Sequence, residues 1–125
     1  MSYLIEISTK KNSFRAILNS SKTSEKLIEI LPVTSVVNRW GDEIYFSIPL
    51  EGEPESGKEI MEVGDIAFWP PGNAFCIFFG RTPVSTGDEP RAASAVIPLG
   101  KLEKTEPELL RKVKSGEEIY LKRIK

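Results

Sequence analysis

The stretch Gly64-Asp65-Ile66-Ala67-Phe68-Trp69-Pro70-Pro71-Gly72-Asn73-Ala74-Phe75-Cys76-Ile77-Phe78-Phe79-Gly80 decides the fold. Two β-prone runs, residues 66–69 and 74–79, flank Pro70-Pro71-Gly72-Asn73. Proline fixes φ and removes an amide donor, while glycine and asparagine accept a left-handed backbone, so these four residues predict a rigid turn between two strands. The second run carries no charged or hydroxylated side chain and predicts the most deeply buried strand of the chain. Within it, Cys76 reads as a small hydrophobe whose thiol is held protonated by burial, not as a nucleophile.

Strand signals continue on both sides of this hairpin. Upstream, residues 60–62 form a further strand candidate before Val63-Gly64-Asp65, and residues 49–58, rich in glycine, proline and glutamate, read as an exposed loop. Residues 33–38 and 43–48 are strands around Trp40-Gly41-Asp42, where glycine permits the positive φ of a tight turn. Residues 3–8 and 13–18 form an N-terminal hairpin across Thr9-Lys10-Lys11-Asn12. Between these pairs, residues 24–31 place Leu27, Ile28 and Leu31 on one helical face, with Thr23 as N-cap and Pro32 as terminator. Downstream, residues 81–91 are a surface loop, and residues 93–103 a strand irregular near Pro98 and Gly100. Thr105-Glu106-Pro107-Glu108 matches a capping box opening a helix through Leu109, Leu110 and Val113 to Gly116. Residues 118–124 alternate as a last strand. Eight or nine short strands and two isolated helices are too few helices for a βαβ series. They predict a mainly antiparallel barrel or barrel-like sandwich with helices over its open ends.

With 125 residues the chain suits a single domain over 1–125, and 17 basic against 18 acidic side chains leave a net charge of −1. That balance argues against an electrostatic grip on nucleic acid. The longest apolar run is too short to span a membrane, and Met1-Ser2-Tyr3-Leu4 has no signal-peptide layout, so a cytoplasmic protein without membrane association is expected. One cysteine and no histidine exclude intramolecular disulfides, Ser-His-Asp triads, Cys-His dyads and histidine metal sites built from this chain alone. No glycine-rich phosphate cradle is present, and no cofactor or metal is called for.

The opening stretch, together with Ser35-Val36-Val37-Asn38-Arg39-Trp40-Gly41-Asp42-Glu43-Ile44-Tyr45-Phe46, Arg81-Thr82-Pro83 and Ser94-Ala95-Val96-Ile97-Pro98-Leu99-Gly100-Lys101-Leu102, resembles the cyclophilin-like family of small bacterial and archaeal proteins. The resemblance covers essentially the whole chain. It implies a closed eight-stranded barrel of cyclophilin type, capped by two short helices. It does not fix a chemistry, because a shared barrel hosts many functions. True prolyl isomerases carry a Phe-His-Arg strand motif and a Ser-Gln-Phe-Phe sequence. The counterparts here are Tyr45-Phe46-Ser47 and Cys76-Ile77-Phe78-Phe79, without the arginine and without the glutamine.

Prolyl isomerisation requires an apolar pocket and a donor that disrupts amide resonance, and Arg39 and Arg81 are the candidate donors. Trp40, Tyr45, Phe46, Phe68, Trp69, Phe75, Phe78 and Phe79 cluster in the two motif segments, and strand alternation turns only about half of them into a barrel. The others suit a groove for a peptide or a flat small molecule, although core packing accounts for the same rings. The candidate ligand-binding set is therefore Arg39, Trp40, Tyr45, Phe46, Trp69, Phe75, Phe79 and Arg81. Asp42 and Glu43, like Asp65 near Glu62, fit turn chemistry better than acid–base catalysis. The expected function is a module that binds a peptide or small apolar ligand, with little or no isomerase activity. The alternatives are a prolyl isomerase with a non-standard donor, or a subunit that buries its aromatics in an oligomer or partner.

Overall fold

The computed structural model describes residues 2–52 and 55–125. In chain order these form β1 (Tyr3–Ser8), β2 (Ser13–Leu18), α1 (Lys22–Ile30), β3 (Val33–Val36), β4 (Asn38–Arg39), β5 (Glu43–Ser47), β6 (Lys58–Ile60), β7 (Asp65–Trp69), β8 (Ala74–Phe78), β9 (Arg91–Leu102), α2 (Pro107–Arg111) and β10 (Glu118–Arg123). Pro70–Gly72 is a single 3₁₀ turn, closed by Asn73 in the left-handed region, whose amide donates to the Pro70 carbonyl at 3.1 Å. This is the rigid connection that the two prolines predict. It sets β7 and β8 in register, with Phe68 opposite Phe75 and Trp69 opposite Ala74.

The fold is mainly β. One antiparallel path runs β3-β10-β1-β2-β9-β7-β8-β5-β4, and β6 pairs beside it with β9. Backbone pairing leaves this path unclosed between β3 and β4, so the described residues form a mainly antiparallel sheet of ten strand segments. The reason lies at Val37, which joins the two ends. Its amide donates to Glu117 and its carbonyl accepts from Gly116, so the residue spends its backbone groups on the entry to β10. Across the gap, the Ser35 hydroxyl donates to the Ser47 carbonyl at 2.6 Å.

All five residues of β8 are buried, because the two faces of its sheet carry different cores. Phe75 and Ile77 point inward with Ile5, Ile7, Phe46 and Phe68, and α1 and α2 close this cluster with Leu27 and Leu110. Phe46 and Phe75 are register partners whose rings stack at 5.1 Å between centroids. On the outer face, Ala74, Cys76 and Phe78 join Met61, Ala67, Ala92 and Val96 in a second cluster, against which Tyr45 and Trp69 pack.

Local details differ from the sequence expectations where distant residues intervene. Ser21, not Thr23, caps α1, accepting the Ser24 amide at 3.1 Å. Thr23 is buried in the first turn, where the Glu55 carboxylate accepts its amide at 3.1 Å and that of Lys22 at 3.2 Å. Within the loop 49–58, Glu53 and Pro54 lie outside the described residues, and Leu50 is buried. The capping box at Thr105 does not form, since α2 starts after Glu106 without a side-chain cap. The Thr105 hydroxyl packs instead into the space that a Cβ on Gly64 would fill. β9 is one strand of 12 residues, and the irregularity expected near Pro98 is present as a register shift, with Ile66 opposite Gly100 but Ala67 opposite Pro98.

Because the Phe46–Phe75 stack sits where two strands meet the inner core, Phe75→Ala is expected to lower the unfolding free energy by about 3–5 kcal/mol. Urea unfolding measures this, and a loss below about 1 kcal/mol would contradict the central place given to β8.

Candidate functional site

The site grows from the turn between β4 and β5. Gly41 takes φ +62° there, and a Cβ on it would lie 2.8 Å from the Arg81 carbonyl oxygen, so glycine lets the turn press against the chain leaving β8. The Asp42 amide donates to the Arg81 carbonyl at 2.8 Å and the Phe79 amide donates to the Asp42 carbonyl at 2.9 Å. With the turn fixed, alternation along β5 sends Ile44 and Phe46 to the inner core and leaves Glu43 and Tyr45 on the opposite face. Tyr45 stands opposite Cys76 and Glu43 opposite Phe78. Across the sheet, the Trp69 indole donates to the Ser94 hydroxyl at 2.8 Å, which fixes the ring against β9.

These residues border a half-open cavity of about 210 Å³, lined by Trp40, Glu43, Tyr45, Trp69 and Ala93. Glu43 is only 6% exposed, and desolvation pushes its carboxyl from an ordinary 4.5 up to about 7, a hydrogen bond with the Cys76 thiol offsetting part of the rise. Cys76, buried beneath, has its thiol pushed well above the usual range by desolvation and by the neighbouring Glu43. The thiol stays protonated and acts as a weak donor, not as a nucleophile. Among the described residues, no three His, Cys, Asp or Glu side chains gather to hold a metal ion.

Of the eight candidate residues, Trp40, Tyr45 and Trp69 line the cavity. The other five lie elsewhere. Phe46, Phe75 and Phe79 are fully buried members of the inner core and present no ring to a ligand. The Arg39 guanidinium donates to the carbonyls of Arg111 at 3.0 Å, Val113 at 2.8 Å and Gly41 at 2.9 Å, stands 3.6 Å from Asp42, and lies over the Phe79 ring at 5.2 Å. Its donors are committed to the end of α2 and to the turn. Arg81 is exposed and contributes its backbone carbonyl to the Asp42 clasp, not its side chain to the cavity. Glu43, which sequence reasoning assigned to turn chemistry, and Ala93, which it passed over, complete the lining. The available signal for Glu43 was its two-residue spacing from Tyr45, which places both on one face of a strand.

A family model described as Cyclophilin-like matches residues 3–122. The chain belongs to the cyclophilin-like family. The solution structure of a hypothetical protein from Archaeoglobus fulgidus is similar to this cyclophilin-like chain, with a TM-score of 0.83 and 35% sequence identity over 98% of this chain and 95% of that one. No curated protein matches. Among the described residues, the cyclophilin-like chain has no helix long and apolar enough to cross a membrane.

Burial of Glu43 makes the stability of this cyclophilin-like protein depend on pH. The carboxyl titrates at 4.5 in the unfolded chain and at about 7 when folded, so between those values the folded state binds more protons than the unfolded one. Stability from neutral Glu43 is complete below 4.5 and is lost as pH rises through about 7. Urea unfolding at about pH 5 and about pH 8 is expected to show the native chain losing about 2–3 kcal/mol relative to Glu43→Gln. Parallel pH profiles for the two proteins would contradict a raised carboxyl.

Proposed function

We propose that this cyclophilin-like protein is a binding module that holds one small ligand in the cavity of Trp40, Glu43, Tyr45, Trp69 and Ala93, without efficient prolyl isomerase activity. The observation that carries this is the cavity itself: three part-exposed aromatic side chains and one buried carboxyl surround space that core packing leaves unfilled. Its volume of about 210 Å³ supports a single small molecule or side chain over an extended peptide. Drug-sized pockets run from roughly 300 Å³ upward, and an apolar cavity of about 150 Å³ holds benzene.

The isomerase alternative is weakened by the arginines. A donor for the prolyl nitrogen must be free to point at substrate, and Arg39 directs its N–H groups at three backbone carbonyls. The closed eight-stranded barrel implied by the family resemblance belongs to the same proposal, supported by the Ser35–Ser47 hydrogen bond that links β3 to β5.

Both tryptophans of the chain line the cavity, so their indole N–H signals report its occupancy. A panel of small neutral, cationic and anionic organic fragments is expected to shift the Trp40 and Trp69 indole signals in at least one class, with the amides of Glu43, Tyr45 and Ala93 following. A panel that leaves all of them unmoved overturns the binding reading. In the same samples, exchange spectroscopy on a short Ala-Pro peptide is expected to show an unaltered cis/trans rate. Arg39→Ala should cost about 1–3 kcal/mol of stability through its lost charged hydrogen bonds. Accelerated exchange that Arg39→Ala or Arg81→Ala abolishes would restore the isomerase.

A further inference from the structure

The lining of the cavity narrows the class of ligand, and this step rests on the small-ligand reading above. Trp40, Tyr45 and Trp69 contribute electron-rich rings, Ala93 contributes a methyl group, and Glu43 contributes the one formally ionisable carboxyl; no lysine or arginine lines the space. Cations are attracted to aromatic faces as well as to carboxylates, while anions meet repulsion from both. We infer that the cavity takes a small organic cation, an ammonium group carrying an alkyl shell, with its charge beside Glu43 and its carbons against the three aromatic side chains.

One further observation and two physical arguments point the same way. Glu43 has no ion-pair partner among the described residues, although Arg39 and Arg111 lie on neighbouring elements. Both are committed to Asp42, at 3.6 and 3.1 Å, and Arg39 also to the end of α2. An apolar ligand would bury the Glu43 carboxyl further without giving it a partner, which costs free energy, whereas an ammonium supplies the missing charge. An alkylated ammonium is also less tightly hydrated than a bare one, so a small aromatic-lined space accepts it with less loss.

The groups around Glu43 also set the pH dependence. β8 presents the Cys76 thiol and Phe78, β7 presents Trp69, the β4–β5 turn presents Trp40, β9 presents Ala93, and β5 itself adds the Tyr45 phenol. Cys76 stays protonated, so Glu43 is the group whose charge changes near neutrality. The cation requires the ionised carboxylate, so its apparent affinity rises with pH.

Choline, and its neutral isostere with carbon in place of the quaternary nitrogen, test this on the full chain by tryptophan fluorescence and indole NMR. Choline is expected to bind at about pH 8 at least about tenfold more tightly than the isostere, and to lose about tenfold in affinity by about pH 6. Glu43→Gln should abolish the pH dependence and reduce the choline preference to what the aromatic faces supply, and a native-like amide spectrum of that variant shows that it folds. Equal binding of the two probes overturns the cation assignment and leaves the small-ligand reading standing. So does binding of neither probe while another fragment class moves the indole signals. Silence from both probes and from the whole fragment panel brings down the assignment and the binding reading together. A choline preference that keeps its full size and its pH dependence in Glu43→Gln overturns the role given to the carboxylate.

Discussion

Strand β8 is buried on both faces, and this constraint organises the molecule. A strand exposes alternate side chains to opposite sides of its sheet, so a run with no polar face requires a cover on each side. Phe75 and Ile77 obtain theirs from the inner core that α1 and α2 close, and Ala74, Cys76 and Phe78 obtain theirs from β9 residues, Met61 and the rings of Tyr45 and Trp69. The inner cover is complete. The outer one is thinner, made partly of aromatic side chains that remain accessible, and its rim is where the cavity opens. The position of the candidate site thus follows from the second core, not from the barrel interior.

Arg39, one of the two arginines that the sequence offers as candidate donors, has its guanidinium engaged by the backbone. Arg39 sits on a two-residue strand beside a glycine turn, and α2 is a helix of five residues whose last carbonyls need partners. One guanidinium satisfies Arg111, Val113 and Gly41 together while lying over Phe79, so it ties the helix, the turn and the inner core into one unit. Its N–H donors are thereby directed at the backbone of the helix end and the turn. Its fixed geometry does contribute indirectly to the cavity, because the turn that it steadies carries Trp40 and leads into Glu43.

The hairpin of β7 and β8 was legible in the sequence because its determinants are local: β-prone runs and a Pro-Pro-Gly-Asn turn whose torsions those residues impose. Helix ends were less legible because their partners come from far along the chain. Glu55 supplies a carboxylate to the first turn of α1 from more than 30 residues away, and Gly64 draws Thr105 out of a capping box that looks complete in one dimension. The same limit governs the site. Trp40, Tyr45 and Trp69 were recognisable as aromatics in need of a use, but Phe46, Phe75 and Phe79 carried an identical signal. The registers of β5 and β7 on β8 separate Tyr45 and Trp69 on the outer face from Phe46 and Phe75 on the inner one. Glu43 was obscured by its neighbours, since an acid next to Gly41-Asp42 already has an explanation in turn chemistry.

That carboxyl is where the demands of folding and of binding diverge. A buried acid with only a thiol beside it raises the free energy of the folded chain whenever it ionises, and an amide of similar size would avoid the penalty. The desolvation that weakens the fold is, however, the same desolvation that a ligand would otherwise have to bring about. A carboxyl already stripped of most of its water, and held by β5 against a packed second core, meets an incoming cation without reorganising. In the low-dielectric surroundings of three aromatic side chains that single charge attracts more strongly than it would on the open surface. Folding therefore carries in advance part of the cost of recognition, and it does so at a position where the outer core leaves room for a guest.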